Sequence, residues 1–200
     1  MTHGNHRFDP KKCDALLSTE RWTRWTPLAL LAQAGMEAGE SVLDIGCGPG
    51  FWTIPIAEIV GPPGQVIALD VSRELLDALV SRNPPPCVRP VLGELPAIDL
   101  PDASVDFIWA AFVFHEVEQP SVPTSEMHRV LRPNGRLAVL DWRPDASSDN
   151  GPPRQDRLSS EEVIAHLDGA GFRRIPNMWK DDDAYLVTAC QAGCRRKELP

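Results

Sequence analysis

Apolar positions along the chain switch between two spacings, and the switches divide it into elements. Leu28, Leu31 and Ala32 share one helical face ahead of Gly35. Ser41 to Ile45 is a short apolar strand that runs into a turn carrying Gly46, Gly48 and Gly50. Phe51 to Val60 is predicted as a helix, with Pro55 near its first turn, where a missing N–H costs least. Gln65 to Asp70 is a second strand. Leu75, Leu76, Leu79 and Val80 form the stripe of the next helix, with Ser72 as its cap. Cys87 to Leu92 and Val105 to Ala111 read as strands, the latter introduced by a turn at Pro101 to Ser104. Ser125 to Leu131 is helical and stops at the turn Pro133, Asn134, Gly135. Arg136 to Trp142 is a fifth strand. After a loop rich in Pro, Gly, Asp and Ser, Ser159 and Glu162 have the spacing of a capping box. Val163, Ile164, Leu167 and Ala170 give that helix its core face, and Gly171 ends it. Phe172 to Met178 and Ala184 to Cys190 are two closing strands, joined by the polar run Lys180 to Asp183.

Strands alternating with helices predict an α/β fold with a mostly parallel, seven-stranded sheet. Two consecutive strands at the end predict one antiparallel member. There is no internal repeat. Residues 1–40 are expected to form a helical arm or lid, 41–190 the ligand-binding domain, and 191–200 a tail.

Composition narrows the class. A formal net charge of -8 disfavours a phosphate backbone as partner, so nucleic acid is not expected. The basic run Arg195 to Lys197 is read as solvated tail. Five cysteines without a regular framework argue against a secreted disulfide scaffold. The longest apolar run, Ile108 to Phe114, is too short to span a bilayer. The expectation is a soluble, cytoplasmic protein. Cys190 and Cys194 lack zinc-knuckle spacing, and no metal is expected.

The glycine turn carries the chemistry. Glycine removes the Cβ that would hold a ligand away from the backbone. Here a strand precedes the turn, a helix follows it, and Asp70 ends the next strand, twenty residues beyond Gly50. A carboxylate there suits ribose hydroxyls. Gly46, Gly48 and Gly50 make G-x-G-x-G, whereas the dinucleotide fingerprint is G-x-G-x-x-G. No basic residue lies in the turn to offset a pyrophosphate, and no G-K-[ST] follows. Asp44 precedes it instead, and its carboxylate suits a ligand bearing an ammonium and a sulfonium.

Val42 to Gly50 resembles the first motif of class I S-adenosylmethionine-dependent methyltransferases. Leu69 to Val71 resembles their ribose-binding segment, Gly93 to Pro96 with Leu100 to Phe107 their adenine loop and fourth strand, and Leu131 to Asp141 the approach to their fifth strand. The resemblance covers residues 40 to 190 and is nearest to the branch that includes ubiquinone/menaquinone-biosynthesis enzymes. It implies a Rossmann-like fold, S-adenosyl-L-methionine as cofactor, S-adenosyl-L-homocysteine as product, and a small-molecule methyl acceptor. It further implies that Asp44, Gly46, Gly48 and Gly50 hold the methionine part. Asp70 would take the ribose and Val71 would pack on the adenine, edged by Glu94 and Leu95. Ala110 and Phe112 would line the pocket.

Methyl transfer from a sulfonium needs alignment and exclusion of water, and a base only when the acceptor loses a proton. His115, beside Glu116, is the candidate base; the alternative is that it caps a helix or packs beside the cofactor. Asp141, Trp142, Arg143 and Tyr185 are candidate acceptor contacts, and His6, Phe8, Asp9, Trp22 and Trp25 candidate lid residues. Three other functions fit parts of the pattern: a non-catalytic S-adenosylmethionine-binding protein, an arsenite or thiol methyltransferase, and an NAD-dependent oxidoreductase. The glycine spacing argues against the last.

Overall fold

The computed structural model describes residues 11, 13–117 and 119–191, with the side chains of residues 174–178 excepted. His6, Phe8, Asp9, Cys194 and the run Arg195 to Lys197 lie outside the described residues. The chain forms two compact units, one up to Glu94 and one from Leu95 onward.

The first unit begins with three short helices, α1 (Cys13–Leu16), α2 (Thr19–Trp25) and α3 (Pro27–Gln33). It continues as β1 (Ser41–Ile45), α4 (Thr53–Val60), β2 (Gln65–Asp70), α5 (Arg73–Ser81) and β3 (Val88–Leu92). β2 pairs in parallel with β1, from Ser41 opposite Gln65 to Ile45 opposite Leu69, and with β3, from Val66 opposite Val88 to Asp70 opposite Leu92. β1 and β2 are buried along nearly their whole length, which explains their unbroken apolar runs. Ser72 caps α5 by accepting from the Leu75 N–H. Leu76 and Leu79 of α5 pack with Cys47 and Ala68, so the helix is fastened to β2 and to the glycine turn together.

The second unit contains β4 (Val105–Ala111), α6 (Ser121–Val130), β5 (Leu131–Trp142), α7 (Ser160–Gly169), β6 (Phe172–Lys180) and β7 (Ala184–Gln191). β4 and β5 are parallel, and β7 is antiparallel to both β5 and β6, the single reversed strand expected. The capping box is present: Glu162 N–H donates to the Ser159 hydroxyl oxygen, and Ser159 N–H to the Glu162 carboxylate.

Of the boundaries that differ from the sequence reading, three have a local cause. α4 starts at Thr53, because Phe51 and Trp52 are spent completing the turn out of left-handed Gly50. α6 starts at Ser121, a turn earlier; Pro123 falls in its first turn, where no intrahelical bond is lost. β5 already starts at Leu131, and the turn at Pro133 to Gly135 is an irregularity inside the strand. Its register steps from Val105 opposite Leu131 to Phe107 opposite Arg136, with Asn134 left-handed at φ 68°.

A Cβ on Gly50, where φ is 86°, would stand 2.4 Å from Leu79 Cδ1. Gly39 has a similar φ of 82° with open space around it. Gly50→Ala therefore adds a clash to backbone strain and should cost about 2–4 kcal/mol, against about 1 kcal/mol for Gly39→Ala. Calorimetric melting should place Gly50→Ala several degrees below Gly39→Ala; equal melting temperatures would contradict the packing of α5 on the turn.

Candidate functional site

The first unit assembles its polar groups at the carboxyl ends of β1 and β2, the ends where open α/β sheets bind ligands. Gly46, Gly48 and Gly50 all have left-handed φ, at 66°, 54° and 86°. That geometry folds the turn tightly, and the N–H groups of Gly46 and Cys47 both donate to the Leu69 carbonyl. The turn is thereby tied to the end of β2.

Asp70 makes the second tie. It is 7% exposed, and it accepts from Gly48 N–H at 2.7 Å through Oδ2 and from Ser72 N–H at 2.8 Å through Oδ1. Burial raises its pKa, while these N–H groups pull it down. A carboxylate offers about four lone-pair positions. Gly48 and Ser72 take two and the Val71 N–H also faces the carboxylate, so acceptor capacity remains for a hydroxyl donor, as a ribose requires.

Asp44 is 1% exposed. Thr53 Oγ1 donates to its Oδ2 at 2.6 Å and is, among the described residues, its one hydrogen-bond donor. Burial pushes the Asp44 carboxyl up to about 7, against the pull of Thr53, and the nearby Asp70 charge adds to the rise. A buried acid in this state is poised to ionise when a cation arrives. Thr53 was not among the sequence-derived candidates, because a hydroxyl in a helix carries no mark of its partner.

Val71 and Leu92, just beyond or at the ends of β2 and β3, are exposed apolar residues at 43% and 48%. They supply an apolar surface beside Asp70, suited to a flat base. Glu94 follows β3 and is exposed. On the amino-terminal side, Leu16 reaches towards Gly48, with its Cδ1 3.6 Å from the position of a Cβ there. Trp22 meets Phe51 edge-on at 5.7 Å, and the Arg21 guanidinium lies 4.9 Å from the same ring. α1 and α2 thus contact the glycine turn, with Trp25 buried as the anchor and Trp22 exposed.

Leu95, Ala110, Phe112 and His115 belong to the second unit. Leu95 is half-buried, and Ala110 is fully enclosed within β4. Phe112 leaves β4 with φ 60°, a strained value for an aromatic residue. Its ring lies 4.8 Å from that of Trp142. Gly151 closes on Trp142, since a Cβ there would stand 2.6 Å from the indole. Arg157 holds this loop by donating to the carbonyls of Arg143, Asn150 and Pro152.

His115 sits in a 3-10 turn, Phe114–Glu116. Its Nδ1 is 2.8 Å from Asp141 Oδ1, and its N–H donates to Asp141 Oδ2 at 3.2 Å. Trp142 N–H also donates to Asp141, which is 1% exposed. A carboxylate only accepts, so Nδ1 carries the proton, and in the neutral ring Nε2 holds the lone pair. Nε2 lies 3.9 Å from Glu116 Oε1. Burial lowers the His115 pKa, but the Asp141 charge and hydrogen bond, with Glu116, outweigh it and the net shift is upward. The sequence reading singled out both His115 and Asp141 but not their pairing, which spans 26 residues. Tyr185 is turned to another use: it is 1% exposed and its hydroxyl donates to the Leu158 carbonyl. Arg143 is paired with Asp145 at 2.7 Å. Among the described residues, no group of three His, Cys, Asp or Glu side chains gathers to hold a metal ion, and no helix is long and apolar enough to cross a membrane.

A family model described as a methyltransferase domain matches residues 42–135. A ubiquinone/menaquinone biosynthesis C-methyltransferase of Marinomonas sp. is 33% identical over 176 residues, which cover 84% of this chain and 63% of that protein. An arsenite methyltransferase of Halobacterium salinarum is 31% identical over 169 residues, covering 78% of this chain and 43% of that one. The chain thus spans less than two thirds of either curated relative. A solved S-adenosylmethionine-dependent methyltransferase from Aquifex aeolicus is 33% identical with a TM-score of 0.86, covering 93% of this chain and 100% of that one. The glycine turn, its two acids and this end-to-end structural match place the chain in the family of S-adenosylmethionine-dependent methyltransferases, with the Rossmann-like α/β fold and the cofactor of that family.

Proposed function

We propose that the protein transfers a methyl group from S-adenosylmethionine to a small apolar acceptor. The observation that carries this reading is the pair of buried acids at the glycine turn. Asp44 is nearly inaccessible, has one hydrogen-bond donor among the described residues, and has its pKa raised by burial. It suits the cationic methionine end, with the backbone of Gly46, Gly48 and Gly50 alongside. Asp70 keeps acceptor capacity for the ribose, and Val71, Glu94 and Leu95 are assigned to the adenine. The cofactor supplies an activated methyl group, so the protein has to orient the acceptor, exclude water and take up any proton released.

His115 is assigned the proton. Asp141 fixes its ring and leaves Nε2 as the basic atom. The Phe112 and Trp142 rings, in contact with each other, are assigned to the acceptor together with Ala110. An aromatic wall favours an acceptor of the quinol kind, as the name of the Marinomonas relative suggests, over thiol or metalloid chemistry. The thiols of Cys13, Cys47 and Cys87 support a reducing, cytoplasmic setting.

Calorimetric titration with S-adenosylmethionine, S-adenosylhomocysteine and NAD tests the cofactor assignment: the first two should bind at micromolar concentration and NAD should not. Binding of NAD alone would overturn it. The pH dependence follows from Asp44. Its carboxyl is raised to about 7 in the fold, so that without ligand the stability it contributes is present at low pH and lost as pH rises from about 4 to 7. A cationic ligand demands the ionised form. Affinity should therefore fall below pH 7, approaching about tenfold per pH unit, with proton release seen as a buffer-dependent heat. A flat profile between pH 5 and 7 would remove Asp44 from the site. Asp70→Asn should weaken binding by about 1–3 kcal/mol, or roughly five- to 150-fold, and unchanged affinity would remove the ribose contact.

His115→Ala should lower kcat by about a hundredfold or more with cofactor affinity retained. The His115 pKa is raised and the base acts unprotonated, so the wild-type rate should climb with pH through an inflection above 6.5. Asp141→Asn removes the charge responsible and should move that inflection down. Methyl transfer by His115→Ala at the wild-type rate, over a panel of quinols, phenols, thiols and amines, would exclude His115 as base.

A further inference from the structure

Hydroxyl groups in the helices of this protein mostly bond to their own helix. Thr23 donates to the Thr19 carbonyl, Ser81 to Ala78, and Thr124 and Ser125 both to Ser121. That is the ordinary local use of such a side chain. Thr53 departs from it. It is the first residue of α4 and fully buried, yet its hydroxyl leaves the helix and donates to the carboxylate of Asp44 on β1, nine residues back. Nor does it act as a helix cap, which would require it to accept from a backbone N–H. At 2.6 Å the bond has the length of a charge-assisted O–H to carboxylate contact, stronger than a neutral pair.

We propose that Thr53 is a positioning residue of the cofactor site, one that holds the Asp44 carboxylate in the orientation and the ionised state that receive the cationic methionine end of the ligand. This rests on the cofactor assignment above. With Oδ2 committed to Thr53, rotation of the carboxylate is arrested and Oδ1 remains to accept from the ligand. Two further groups bear on Asp44. Asp70, at the end of β2, repels its charge, and Cys47, in the glycine turn, is a buried thiol whose own ionisation Asp44 and Asp70 both oppose. Neither stabilises the Asp44 carboxylate. Thr53 is the side chain that does, so the pH at which the ligand loads depends on its hydroxyl.

Thr53→Val removes the hydroxyl at nearly constant shape, and Thr53→Ser keeps it. The binding of S-adenosylmethionine would be titrated between pH 5.5 and 9 for both variants, for Asp44→Asn and for the wild-type protein. In parallel, the Asp44 side-chain carboxyl would be followed by carbon NMR without ligand. In Thr53→Val the Asp44 titration should move to higher pH. Affinity at pH 6 should drop by about tenfold and recover to within a few-fold of wild type at pH 9. Thr53→Ser should restore the wild-type profile, and Asp44→Asn should abolish the pH dependence. An unmoved Asp44 titration, or an equal loss of affinity at every pH together with a lower melting temperature, would overturn the proposal and leave Thr53 a packing residue. If the wild-type protein fails to bind S-adenosylmethionine at any pH, the cofactor assignment falls and this role with it. Normal wild-type binding with an unshifted Thr53→Val profile would overturn the Thr53 role alone.

Discussion

The carboxylate of Asp70 accepts from the N–H of Gly48 on one side and of Ser72 on the other, and the first unit is organised around that double contact. Gly48 belongs to the turn after β1, and Ser72 caps the helix after β2. One buried side chain therefore sets both turns against each other. The cost of burying this carboxylate is offset in part by charge-assisted bonds from main-chain groups of the turn and the helix cap, and burial still leaves its pKa raised. Alanine at Gly50 would push on Leu79, which packs with Leu76 against Cys47 and Ala68. The same turn thus shapes the candidate cofactor site and fastens α5. Its glycines are needed twice, once for the left-handed backbone and once for the close approach.

The second unit uses a related device for a different purpose. Asp141 gathers three donors: the His115 ring, the His115 N–H and the Trp142 N–H. It fixes an imidazole so that one nitrogen is committed and the other is left basic. Where Asp70 is spent on shape, Asp141 is spent on the ionisation and aim of its neighbour. Both acids lie at the carboxyl end of a strand, Asp70 as the last residue of β2 and Asp141 as the last but one of β5, the end where such sheets place functional side chains.

Much of this was legible in the sequence. The unbroken apolar runs gave β1, β2 and β4 close to their observed limits, because strands buried on both faces have no other composition available. Ser72 and Ser159 announced their helices through local hydrogen bonds that operate within three residues. The G-x-G-x-G spacing and Asp70 located the candidate cofactor site for the same reason: the chemistry is confined to one turn and the strand beside it. What escaped was long-range or spatial. The donation from Thr53 to Asp44 depends on how α4 lies against β1, and nothing in the residues between them encodes it. Asp141 and His115 were each visible, but their pairing depends on how the chain after β4 settles at the end of β5. The irregularity at Pro133 to Gly135 read as a plain turn, since its signal is the same whether the ladder stops there or steps over it.

The central claim is that the glycine turn and its two acids form the cofactor site, and a crystal structure of the protein with S-adenosylhomocysteine tests it most directly. The account predicts both ribose hydroxyls on Asp70, the amino group of the homocysteine part on the Asp44 side of the turn, and the adenine against Val71. An adenosyl group bound elsewhere, with Asp44 and Asp70 unchanged and out of contact, would contradict it.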